Sequence, residues 1–74
     1  MKLSEIPVGG TAVIETVGGE GTLRLRFLDM GLIPGTYVKV SKAAPLGDPV
    51  QLSLRGYTLT LRLSDAEQIT VKEG

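Results

Sequence analysis

The sequence predicts a small, mostly-β domain. About five short strands curl into a barrel, with one short helix inserted after the first strand and a helical turn before the last. Three observations lead there. Apolar and polar residues alternate with period two through most of the second half of the chain. Gly and Pro cut the sequence into segments of strand length. Only one stretch, ending at Gly31, keeps helical spacing up to a stop signal.

In chain order, Leu3-Ser4-Glu5-Ile6-Pro7 suits one helical turn that packs Leu3 and Ile6 onto the barrel. Thr11 to Val17 is rich in β-branched residues and lies between Gly9-Gly10 and Gly18-Gly19, which reads as a strand bounded by turns. Thr22 to Ile33 fits two periods. Leu23, Leu25 and Phe27 alternate as in a strand, while Leu23, Phe27 and Met30, and Leu25, Leu28 and Leu32, recur as on a helix. The end of the segment decides between them. Gly31 suits a left-handed C′ position, apolar Leu32 follows it, and Pro34 stands close behind. A helix is therefore expected from about Thr22 to Met30, apolar over a wide face, with Arg24 and Arg26 towards solvent. Gly31, Pro34 and Gly35 then serve as structural cap and turn.

From Thr36 the period is two. Val38 and Val40 alternate with Tyr37, Lys39 and Ser41, and after the loop Ala43 to Pro49, Val50, Leu52 and Leu54 alternate with Gln51, Ser53 and Arg55. Beyond Gly56 comes the series Tyr57, Leu59, Leu61 and Leu63. A two-residue turn at Arg55-Gly56 pairs Leu54 with Tyr57, Leu52 with Leu59 and Val50 with Leu61, all on one buried face. A primed turn demands positive φ at Arg55, so a bulge at Gly56 is the alternative. On this alternation the Tyr57 ring belongs to the core, with its hydroxyl at the rim. Ser64 and Glu67 form a capping box for a helical turn, and Ile69 and Val71 mark the last strand. A sheet this small disposes of its edges by closing, so an SH3-like barrel forming a single domain over residues 1–74 is expected.

Composition narrows the function. The chain contains no His and no Cys. It therefore lacks the thiol nucleophile, the neutral-pH general base and the ligands that transition metals favour. The remaining carboxylates, among them Asp29, Asp48, Asp65 and Glu67, are scattered among turns and suit caps and solvated surface. Gly18-Gly19-Glu20-Gly21 lacks the Lys-Ser/Thr of a phosphate loop. No enzymatic activity and no resident cofactor is expected, and any association with a divalent metal would be weak or indirect. Lys and Arg balance Asp and Glu at 8 each, which argues against a nucleic-acid partner. The start of the chain does not read as a signal peptide, and no apolar run approaches the roughly 18 residues of a membrane span. The cytoplasm is the expected location.

The loop Ala44-Pro45-Leu46-Gly47-Asp48-Pro49 is the candidate for binding. Two prolines reduce the entropy lost when a loop is presented to a partner. Leu46 is then either a preorganised apolar knob with Asp48 beside it, or a side chain folded back onto the barrel. Arg55 at the hairpin tip is a candidate recognition charge, with Gly56 as its turn partner. An unpaired edge strand leaves a homodimer open.

Three ordered blocks carry a family resemblance across nearly the whole chain. Residues 26–35, Arg26-Phe27-Leu28-Asp29-Met30-Gly31-Leu32-Ile33-Pro34-Gly35, resemble the R-x-L-D-x-G-L-x-P-G block of the FeoA family. Residues 44–49 are similar to its A-P-L-G-D-P loop, and Arg55-Gly56-Tyr57 with the Leu series to its hairpin. Phe27 departs from the family's smaller aliphatic residue and reads as a core-filling change. The resemblance implies an SH3-like accessory protein of ferrous iron transport. Its partner would be a FeoB-type membrane transporter with a GTPase domain. The same domain also closes metal-dependent repressors, which implies a metal-sensing or peptide-binding regulatory module as the alternative.

Overall fold

The computed structural model describes residues 1–74. A one-turn 3₁₀ helix, Leu3–Glu5, precedes β1 (Thr11–Val17), α1 (Thr22–Asp29), β2 (Tyr37–Ala43), β3 (Val50–Leu54), β4 (Tyr57–Leu61), α2 (Leu63–Ala66) and β5 (Ile69–Glu73). The strands form one antiparallel sheet in the order β4-β3-β2-β1-β5. The two end strands do not pair with each other, so the closed barrel expected from sequence is corrected to a curled, open sheet. Closure depends on strand order and bend, which local pattern does not encode.

Two irregularities supply the bend. The register of β1 against β5 shifts between Ile14 and Thr16, and that of β2 against β3 between Val40 and Lys42. Each extra residue bends its strand and advances the side-chain phase by one. Because of the first, Ala12, Ile14 and Val17 all face inward although the last two are three residues apart. They meet Val38, Val40, Leu52, Leu54, Leu61, Ile69 and Val71 in one core, closed at its ends by Leu3, Phe27, Leu32 and Ala66.

Helix α1 ends on a Schellman motif. The Leu32 amide donates to the Phe27 carbonyl (3.1 Å), and the Gly31 amide to that of Leu28 (3.0 Å). Gly31 has φ +96°, and Phe27 and Leu32, which this motif brings together, are both fully buried. Pro34 and Gly35 (φ +92°) then form a type II turn closed by the Thr36 amide on the Ile33 carbonyl. The apolar face of α1 is narrower than its sequence suggests. Leu25 is exposed, because one eight-residue helix covers the sheet with Phe27, Leu23 and Leu28 alone.

The β3–β4 hairpin has the anticipated register, Leu54↔Tyr57, Leu52↔Leu59 and Val50↔Leu61. Its turn is primed rather than bulged: Arg55 takes φ +48° and Gly56 φ +84°. Tyr57 is not a core residue. It sits 43% exposed at the end of an edge strand, where no layer covers it, and its hydroxyl donates to the Met30 carbonyl (2.6 Å). The capping box at Ser64 and Glu67 is also absent. Helix α2 starts two residues earlier, with Arg62 rather than Ser64 at its N-cap position and no side-chain cap from its own segment.

Candidate partner-docking surface

The connection from β2 to β3 has to reverse the chain, and its residues close a small rigid loop. The Ala44 amide donates to the Pro49 carbonyl (2.9 Å), and the Gly47 amide to the Ala44 carbonyl (2.7 Å). This makes 44–47 a β-turn with Pro45 at its second position, and Gly47 follows at φ +83°. Asp48 fixes the loop from the other side. Its Oδ1 accepts a hydrogen bond from the Leu63 amide (2.9 Å), one of the donors that a helix start leaves without an intrahelical partner. Asp48 therefore supplies the cap that Ser64 does not, and its carboxylate is engaged within the molecule.

Leu46 stands at the tip of this tethered turn and is 95% exposed, so it is not folded back onto the sheet. Leaving such a side chain in water forgoes about 2 kcal/mol of burial energy. Beneath the loop lies a shallow groove of about 240 Å³ lined by Lys42, Ala44, Pro49, Val50 and Thr60 among others. That is below the usual range of ligand pockets, roughly 300–1,000 Å³. It suits a side chain or a strand edge better than a cofactor.

Arg55 is not part of this surface. It lies at the opposite end of β3, about 17 Å of strand away. There its Nη2 donates to Oγ1 of the buried Thr36 (3.1 Å), holding the hairpin tip to the start of β2. The same end of the molecule exposes Ile33, Tyr37 and Tyr57. Tyr37 is exposed on the face opposite Val38 and Val40, where the alternation places it, whereas nothing in the sequence marks Ile33 as exposed. Gly31, Pro34, Gly35 and Gly56 all occupy turns, and the first three frame this second exposed end. No group of three or more Asp and Glu stands close enough to hold a metal ion. Helix α2 is further joined to α1 by Arg26 and Asp65 (3.5 Å). No helix is long and apolar enough to cross a membrane.

Comparison with known proteins gives one consistent result. The FeoA domain model matches residues 1–73. A relative from Porphyromonas gingivalis, the Fe(2+) transport protein A/Fe(2+) transporter FeoB fusion protein, is 43% identical over 72 residues. The match covers 97% of this chain but only 8% of that protein, so the chain spans a small part of the relative's length. The solution structure of FeoA from Chlorobium tepidum superposes with a TM-score of 0.91 at 44% identity, over 99% of this chain and 70% of that one. The zinc-complexed crystal structure of Stenotrophomonas maltophilia FeoA, an SH3 domain protein, gives 0.84 at 28%, over 97% and 89%.

Proposed function

This chain belongs to the FeoA domain family, and on that premise we propose that it is a cytoplasmic, non-enzymatic accessory domain of ferrous iron transport that docks on a FeoB-type membrane transporter. The observation that carries the reading is Leu46, almost wholly exposed at the tip of a loop tied down at both ends. A preorganised apolar anchor of this kind loses little entropy on docking, and its burial by a partner recovers the roughly 2 kcal/mol forgone in water. The P. gingivalis relative, with both functions in one fusion protein, supports the choice of partner. We read the curled sheet as an SH3-like barrel left unclosed, and residues 1–74 as one folding unit.

The test is a binding titration against the cytosolic part of the cognate transporter. Leu46→Asp should weaken binding at least tenfold, equivalent to about 1.4 kcal/mol, with the thermal melting curve unchanged. Undiminished binding by a folded Leu46→Asp variant would rule out this docking surface.

A further inference from the structure

The two ends of the sheet are treated differently. The outer edge of β5 is partly covered by residues 1–2: Met1 O accepts from the Val71 amide (2.8 Å), and Lys2 bridges Thr70. β4 has no such cover. The two-residue turn makes Leu54↔Tyr57 a hydrogen-bonded pair, and alternation assigns the same to Leu52↔Leu59 and Val50↔Leu61. Thr58 and Thr60 therefore point their N–H and C=O groups away from β3. Both residues are exposed, and no side chain or loop bonds to them. The strand Tyr57-Thr58-Leu59-Thr60-Leu61 also lacks the Pro, Lys or bulge that commonly protects an edge.

Charge distinguishes this edge further. The molecule is neutral in total, but residues 30–62 hold Lys39, Lys42, Arg55 and Arg62 against the single carboxylate of Asp48. Asp48 is itself occupied by the Leu63 amide. Two cross-strand rows run to the edge on the outer face, Lys39–Ser53–Thr58 and Lys42–Gln51–Thr60. Each places a lysine two strands, about 10 Å, from β4 and about 14 Å from a strand paired to its open edge, close enough for attraction at low ionic strength, where the Debye length reaches about 30 Å. Arg62 follows directly on the strand.

We infer that the open β4 edge is a strand-pairing site for an extended acidic segment of a partner protein. Positions opposite Thr58 and Thr60 fall on the cationic outer face and take Glu or Asp. Those opposite Leu59 and Leu61 continue the core face and take apolar residues. A second copy of this chain fits less well, because self-pairing through β4 sets two cationic halves side by side. The inference rests on the edge and its charges, independently of Leu46.

The experiment is an NMR titration of the ¹⁵N-labelled chain with two synthetic hexapeptides, acetyl-EVEVEV-amide and acetyl-KVKVKV-amide. In low-salt buffer the acidic peptide should slow amide exchange at Thr58 and Thr60 and shift resonances along β4, binding at least about tenfold more tightly than the basic one, because Lys39, Lys42 and Arg62 attract the first and repel the second. Combined Lys39→Glu, Lys42→Glu and Arg62→Glu substitutions should reverse the preference, while Leu46→Asp leaves it intact. Equal binding of the two peptides, no binding of either, protection elsewhere than β4, or self-association through β4 without peptide would each overturn the inference.

Discussion

Replacing Gly31 by alanine tests how the helix end and the hairpin hold each other. Gly31 has φ +96°, and an L side chain forced into the left-handed region costs about 1–2 kcal/mol. A Cβ built there also collides with the Tyr57 hydroxyl. To make room, that hydroxyl must leave the Met30 carbonyl, forfeiting a hydrogen bond worth about 1 kcal/mol. Together these give a destabilisation of about 2–3 kcal/mol. For a chain of 74 residues, each kcal/mol corresponds to roughly 6 °C in Tm, so a drop of about 12–18 °C is expected. Urea denaturation of Gly31→Ala, Tyr57→Phe and the double variant separates the terms. Removing the hydroxyl relieves the collision, so in the Tyr57→Phe background alanine should cost only the backbone term of about 1–2 kcal/mol. Additive single effects, or a Gly31→Ala penalty below about 1 kcal/mol, would refute the coupling.

Three further outcomes follow from the same geometry. Asp48→Ala removes the bond to the Leu63 amide and should cost about 1 kcal/mol, with faster hydrogen exchange at Leu63. Leu32→Ala empties a fully buried position beside Phe27 and should cost about 2–5 kcal/mol in urea unfolding. Arg26→Ala breaks the ion pair with Asp65, but the Arg26 side chain is 60% exposed, so its stability should change by less than about 1 kcal/mol.

What the sequence revealed was whatever is settled by neighbours in the chain. The stop at Gly31-Leu32 is local backbone chemistry and ended α1 within one residue of its observed limit. The hairpin register followed because Leu52, Leu54, Leu59 and Leu61 alternate about a fixed turn. Interactions across long separations were not visible. Ser64 and Glu67 have the spacing of a capping box, yet the cap of α2 comes from Asp48, 15 residues upstream. Alternation placed Tyr57 on the inner face, but only strand order reveals that β4 has nothing beyond it. In the candidate surface, the turn character of Pro45 and Gly47 was readable, whereas the outward direction of Leu46 was not. The separation of Arg55 from the loop follows from the course of β3, which fixed the distance only once its strand partners were known.

The position of β1, between β2 and the last strand β5, has a kinetic consequence. Strands β2, β3 and β4 are consecutive in the chain and neighbours in the sheet, so this meander closes only short loops. β1 must cross α1 to reach β2 and must wait for residues 69–73 to fill its other side. Long-range closure of this kind places folding in the slower range for small domains, roughly milliseconds to seconds. Until β5 arrives, β1 presents an unpaired flank that includes Ile14 and Val17. The last strand of the sheet to be synthesised is thus the one that shields the first, and the nascent chain remains vulnerable to mispairing until residues 69–73 are free to move.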